Sequence, residues 1–372
     1  MNISPQPPPA NLAWLTALRE PGQTLRWSLA DWERVVRLAR RLRLLARLTE
    51  NLIRAGLIDQ VPPQARRHLI SEQRLSQWRT RGMVWVLERV ATTLQHADYP
   101  LVLLKGGAYI GQDLPIAAGR LPSDVDILVP KAHIADAQKR LREAGWQEAK
   151  LDAHDQRYYH EWSHEVPPMT HPVHGVELDL HHNIQPPVAR TRVDADALLL
   201  HLKPSKWPAW QVLDPLDQIL HSAVHLFHDS ELRDRIRDLV DLDGLLRHFS
   251  ALQVDFWLRL PERARTLNLT EPLALACHFC QHWLGTPIPQ NALSAITRDG
   301  PGRVKRAWLL PLLGQVLMPT EPDNDPSAAQ SVAATLLLGR HHYLRMPFQL
   351  LIPHAWHKFR ASRQADRSTV AR

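Results

Sequence analysis

The sequence predicts an α+β protein in which a small mixed α/β core stands between an N-terminal and a C-terminal helical region. Three observations predict it. Before Asp98 apolar residues return every three or four positions, between Val102 and His181 short buried or alternating runs take over, and beyond Pro187 the helical spacing resumes. The expected divisions are a flexible tail at 1–10, a helical region at 11–98, the core at 99–188 and a mainly helical region at 189–372.

In the first region Asp31 reads as a cap before a helix from Trp32 to Leu48. Val35, Leu38, Leu42, Leu45 and Leu48 form its buried stripe, and arginines occupy much of the remainder. Pro62-Pro63 breaks the pattern, a second helical stretch runs from Gln64 to Gln95, and Tyr99-Pro100 closes the region. Val102-Leu103-Leu104 then reads as a short buried strand, with a Lys105-Gly106-Gly107 turn and a helix turn through Tyr109 and Ile110 after it. A strand at Val125–Val129 and an amphipathic helix at Ala132–Ala144, stopped by Gly145, come next. The aromatics of Gln156–Trp162 favour a strand, and Val176–His181 alternates most clearly of all. Pro186-Pro187 ends the core, and breaks at Lys203–Pro208, Pro261, Pro287 and Gly300-Pro301 punctuate the helices that follow.

Lys and Arg number 45 against 38 Asp and Glu, a net charge of +7 that permits a nucleic-acid partner without demanding one. The first nine residues lack the basic and apolar parts of a signal peptide. No apolar run reaches the roughly 18–20 residues of a transmembrane helix, so the expected location is cytoplasmic. Cys277 and Cys280, the two cysteines, share a helical face; helix packing is the expected role, with zinc (helped by His278 and His282) or redox chemistry as alternatives.

The chemistry concentrates in Arg120-Leu-Pro-Ser-Asp-Val-Asp-Ile-Leu-Val129. On a strand Asp124 and Asp126 point to one face and Val125 and Ile127 to the other. Two like charges that close call for a divalent cation, for which magnesium is the obvious candidate. Cations about 3.5–4 Å apart want a further carboxylate, and Asp179 on the alternating strand is the best placed. Lys105-Gly106-Gly107 offers backbone N–H groups and a cation to phosphate oxygens, and Arg120 offers a second cation; either cation also suits a carboxylate partner. The ordinary alternative is that Asp124 ends a strand, Asp126 pairs with Arg120 and Asp179 decorates a solvated face.

Taken together, Leu103-Leu-Lys-Gly-Gly-Ala-Tyr, Arg120-Leu-Pro-Ser-Asp-Val-Asp-Ile-Leu-Val and Val176-Glu-Leu-Asp-Leu-His-His resemble the uncharacterised nucleotidyltransferase family, within the polymerase-beta-like nucleotidyltransferases, over about residues 99–185. The resemblance implies a minimal mixed-sheet core with Asp124 and Asp126 as paired metal ligands and Asp179 as the third carboxylate. It implies transfer of a nucleoside monophosphate from a nucleoside triphosphate to an acceptor hydroxyl, with ATP the expected donor, Mg2+ the expected cation and Mn2+ an alternative. Lys105, Gly106, Gly107, Arg120, Ser123 and His181 are the expected nucleotide-side residues. The widespread superfamily signature has Gly-Ser where this chain has Gly106-Gly107, and the interval from that turn to Asp124 is longer than in compact members.

The acceptor reads as a small molecule or a protein, with nucleic acid less favoured. Two other classes stay open: a catalytically weakened nucleotide-binding or protein-interaction module, and a helical nucleic-acid-binding protein built on the arginine-rich first region. His181 shares the Asp179 face, whereas His171 and His174 are poorer candidates. His221, His225 and His228 fall on one side of a helix, where a structural or pocket-lining role is expected over zinc, and Asp238 and Asp241 share a side of the next.

Overall fold

The computed structural model describes residues 10–149, 151–173 and 175–351; the tail up to residue 9 and His174 lie outside the described residues. Two 3-10 segments, Ala10–Leu18 and Pro21–Arg26, lead into α1 (Leu29–Arg41), α2 (Leu45–Arg54) and α3 (Pro63–Thr93). The cap of α1 is Ser28 rather than Asp31. Its hydroxyl accepts the Asp31 N–H at 3.2 Å, while the Asp31 carboxylate accepts the Ser28 N–H at 2.9 Å, a reciprocal box. The predicted helix from Trp32 to Leu48 is two helices, because Arg43 takes a left-handed φ of 56° and turns the chain. The stripe survives the break: Val35, Leu38, Leu42, Leu45 and Leu48 are all buried. Pro63 opens α3 at a position where its missing N–H costs no helical bond.

The central sheet has seven strands, β1 (Val102–Leu103), β2 (Asp124–Leu128), β3 (Gln147–Glu148), β4 (Met169–Thr170), β5 (Glu177–His181), β6 (Lys203–Pro204) and β7 (Gln211–Val212), in the order β3-β4-β5-β2-β1-β7-β6. The two long strands lie side by side and parallel, with Asp126 opposite Asp179 and Leu128 opposite His181. Val125, Ile127, Leu178 and Leu180, pointing the other way, are fully buried and form the sheet's share of the core. The sheet reaches past residue 188, since β6 comes from the stretch read as a helix break at Lys203–Pro208 and β7 from just beyond it.

Between strands run α4 (Lys105–Gly111), α5 (Ile134–Glu143) and α6 (Ala153–Arg157). Gly145 has φ +98°, as a residue just past a helix end often does. The strand expected at Gln156–Trp162 is instead α6 and a π turn at Tyr158–Trp162. Pairs four residues apart explain the helix, with Arg157 bridging Glu161 at 3.0 Å and the Tyr158 and Trp162 rings 6.2 Å apart.

The remaining helices are α7 (Ala195–Leu199), α8 (Pro215–Phe227), α9 (Ile236–Leu252), α10 (Phe256–Thr266), α11 (Thr270–Leu284), α12 (Gln290–Asp299), α13 (Arg303–Leu317) and α14 (Ala328–Arg345). One buried charge cluster ties the three parts of the chain. Asp241 on α9 accepts from Arg47 on α2 at 2.8 Å and from Arg120, just before β2, at 3.0 Å. Cys277 and Cys280 are fully buried within α11, and burial pushes both thiols up, Cys277 to about 12. Among the described residues no group of three or more metal-ligating side chains includes them. No described helix is long and apolar enough to cross a membrane.

Candidate active site

Parallel pairing of β2 with β5 brings the three carboxylates together. Asp124, Asp126 and Asp179 each offer an oxygen, and these oxygens all lie within 4.8 Å of one another. Their surroundings differ. Asp124 opens β2, is partly exposed and accepts the Ser123 hydroxyl at 2.8 Å. Asp126 is buried, and its Oδ1 lies 2.7 Å from Lys105 Nζ and 3.1 Å from His181 Nε2. Burial alone raises the pKa of Asp126, but Lys105 and His181 outweigh it and hold the carboxyl well below the usual range. Among the described residues Asp179 has no such partner. Burial first, and then the negative charge of Asp126, push its carboxyl up to about 7.

The cations divide between two places. Lys105 stays charged, since the attraction of Asp126 and Asp124 overcomes its burial. Its φ of 43° swings the backbone out of β1 into α4 and aims the ammonium at Asp126. Arg120 is held on Asp241 and stacks over Tyr109 at 5.6 Å, away from Asp126. A Cβ on Gly106 would stand 2.4 Å from Arg120 Nη1, so this glycine lets the guanidinium pass. Gly107 meets only ordinary contacts with Leu103 at 3.6–3.8 Å. Lys105, Gly106 and Ser123 are therefore neighbours of the carboxylates or of their supports, while Arg120 stands one layer back.

His181 lies on the Asp179 face as its strand position requires, and its ring reaches back to Asp126. Burial lowers its pKa, yet Asp126 and Glu165 raise it further, so it gains a proton more readily than a free imidazole. The helical histidines line a cavity of about 140 Å³ beside the cluster, together with Lys105, His164, Glu165, His181 and Arg345. Burial pushes His221 well below its ordinary value, His225 to about 4 and His228 to about 3, leaving all three neutral at physiological pH. His171 lies outside this cavity, with its ring against Trp146 at 5.6 Å. A larger cavity, about 610 Å³, opens among α2, α9 and the first 3-10 segment and touches none of the three carboxylates.

His164, Glu165 and Arg345 are site neighbours that sequence reasoning missed. The first two sit on an irregular stretch before Pro167-Pro168, and only its hydrogen bonding to β5 carries them in: the Val166 N–H donates to Leu180 O at 3.0 Å and the His182 N–H to His164 O at 2.8 Å. Neither residue had a periodicity to betray it. Arg345 comes from the far end of α14, more than 150 residues from β5.

No curated protein and no solved structure matches the chain. The family model of the uncharacterised nucleotidyltransferases matches residues 28–285, more than half of the 372, and spans both carboxylate strands, the Lys105 turn and the Asp241 support. A chain matched over that span, with its acidic triad assembled as found here, belongs to the uncharacterised nucleotidyltransferase family.

Proposed function

We propose that this protein is a divalent-cation-dependent nucleotidyltransferase that moves a nucleoside monophosphate from a nucleoside triphosphate to an acceptor hydroxyl. The observation that carries this reading is the convergence of Asp124, Asp126 and Asp179 within 4.8 Å in a chain of this family. Three hard oxygen donors from two rigid strands suit Mg2+, and Mn2+ accepts the same set. The raised Asp179 fits too, because a carboxyl forced toward neutrality by its neighbours gains most from a cation. When bound, the metal would neutralise triphosphate charge and favour ionisation of the acceptor.

The chain's own groups would divide the work. Asp124 and Asp126 hold the cation, Ser123 orients Asp124, and His181 fixes the Asp126 carboxylate. Asp179 completes the cation site and accepts or orients the acceptor's proton, for which a pKa near neutrality is suited. The acceptor oxygen forms its bond to the α-phosphorus, the bond to the β-phosphate oxygen breaks, and pyrophosphate leaves. Lys105 balances phosphate charge at the edge of the cluster, and Gly106-Gly107 offers backbone without side chains to the same oxygens. Arg120 serves from behind by setting the Gly106 turn. ATP is the proposed donor, drawn from a cytoplasmic pool, and the acceptor is a small molecule or a protein.

The test is transfer of label. Full-length protein, each α-labelled nucleoside triphosphate, Mg2+ or Mn2+, and fractions of native cell extract should give a covalently labelled acceptor together with pyrophosphate. Asp124→Asn, at a partly exposed strand end, should fold normally and lose about 10²–10³-fold in rate, the scale of losing one charge-stabilising group. Saturable nucleotide binding without transfer to any fraction would instead make the chain a binding module.

A further inference from the structure

Beside the all-oxygen cluster lies a second group of ligating side chains with different chemistry. His164, Glu165 and His181 each offer one ligand atom, and these atoms too lie within 4.8 Å of one another. The backbone sets the arrangement, because Glu165 and His181 are antiparallel bridge partners and so present their side chains to one face.

His181 is the informative member. Its side chain is 4% exposed; Nε2 lies 3.1 Å from Asp126 Oδ1, and Nδ1 lies 3.4 Å from Glu165 Oε2 without making a hydrogen bond. A neutral imidazole that gives its N–H to a carboxylate through one nitrogen carries its lone pair on the other, and a metal bound there takes the place of the ring's second proton. Metal-ligating histidines are oriented in that way. His164 adds a second ring: its Nε2 is 3.9 Å from the same Glu165 oxygen, and among the described residues its buried Nδ1 has no hydrogen-bond partner. Buried ring nitrogens left without partners are destabilising in a finished protein core, and the two rings that carry them flank one carboxylate.

We propose that His164, Glu165 and His181 form a second cation site, one that takes a zinc-class transition metal rather than magnesium. Two imidazoles and a carboxylate are a donor set that zinc uses where it keeps an open position. The open side here is the cavity of about 140 Å³, which His221, His225 and His228 also line. The carboxylate triad, with oxygen donors alone, selects the harder ion. The Asp126–His181 hydrogen bond joins the two sites, so occupancy of the imidazole site would fix the orientation of the carboxylate that serves the other.

Metal binding by the full-length protein tests this apart from any nucleotide chemistry, so failure of the transfer reaction and failure of this site remain distinguishable. Chelator-stripped protein in excess Mg2+ is titrated with Zn2+ against a chromophoric competitor and with Co2+ by visible absorption. One equivalent should bind in the presence of Mg2+. His164→Gln and Glu165→Gln should each weaken it at least tenfold, in line with loss of a ligand or its support, while Asp124→Asn retains it. X-ray absorption of the zinc-loaded wild type, which needs no variant to fold, should show imidazole in the metal's shell. Absence of stoichiometric binding, a shell of oxygens alone, or loss through Asp124→Asn with His164→Gln unaffected would each overturn the proposal.

Discussion

Asp241 and Asp179 are both carboxylates withdrawn from water, and the chain treats them oppositely. Asp241, on α9, receives two guanidiniums, from Arg47 at 2.8 Å and Arg120 at 3.0 Å, and all three side chains are almost fully buried. Asp179, on β5, has Asp126 and Asp124 as its neighbours and is driven up to about 7. Where the sequence supplies its own cations, the carboxylate belongs to the fold. Where it gathers further carboxylates around Asp179, the fold carries the cost of holding them together.

The contrast breaks most visibly at Asp241. Asp241→Ala would strand two buried guanidiniums and release α2 and the Arg120 segment from α9, so about 3–5 kcal/mol of stability should go. A urea midpoint that hardly moves would show that water reaches the cluster and that Asp241 is no latch. Asp179→Asn should do the reverse in chelator, holding or raising the midpoint, because it removes repulsion.

Titration sharpens the same comparison. A carboxyl whose folded pKa lies above its unfolded value of about 4 binds its proton more tightly in the folded state. Metal-free protein should therefore lose stability as pH rises from about 4 to about 7 on account of Asp179. The loss should be on the order of 2 kcal/mol, about half the unscreened value at 1.36 kcal/mol per pH unit, since the site is partly open to solvent. Mg2+ should then stabilise more at pH 8 than at pH 5, and Asp179→Asn should flatten both trends in calorimetry. A wild-type slope that the variant leaves unchanged would locate the titration elsewhere.

The sequence made one of these regions legible and hid the other. Asp124, Asp126 and Asp179 sit on strands whose period of two declares a shared face, so their meeting followed once β2 and β5 paired in register. Asp241 offered only a position on a helix, and its partners lie 194 and 121 residues away, distances over which local patterns say nothing. The two-residue strands β3, β4, β6 and β7 were invisible for a related reason, since alternation needs more residues than they contain. The helix at Gln156–Trp162 was misread because aromatic content favoured a strand while the pairs four apart, which decided the matter, went uncounted. Arg120 was set against phosphate or Asp126 by its nearness in sequence, and the nearer partner in space is Asp241.

The two regions touch at the glycine pair. Gly106→Ala would place a methyl 2.4 Å from Arg120 Nη1 and press the guanidinium off Asp241, at about 1–3 kcal/mol for an overpacked site. Gly107→Ala meets Leu103 at 3.6 Å and should stay within about 1 kcal/mol of wild type, since alanine suits a helix better than glycine. Equal losses from the two substitutions, measured by denaturant unfolding, would mean that backbone freedom, and not the passage of Arg120, is what the first glycine provides.

The smallest effect belongs to Ser123. Its hydroxyl donates to Asp124 Oδ1 at 2.8 Å, at the exposed edge of the cluster. Water can replace a donor there, so Ser123→Ala should leave stability unchanged and lower transfer by roughly 2–10-fold, the kinetic equivalent of about 0.5–1.5 kcal/mol for one hydrogen bond. The division of that loss carries the information. If the hydroxyl only orients Asp124 toward a cation, the apparent affinity for Mg2+ should weaken and saturating Mg2+ should restore the rate. If it touches the triphosphate, taking over for the serine that Gly107 replaces, KM for the nucleotide should rise at every Mg2+ concentration. The first pattern would leave Ser123 as a support of the acidic triad; the second would move it to the nucleotide side and show how this chain manages a phosphate site with two glycines in its turn.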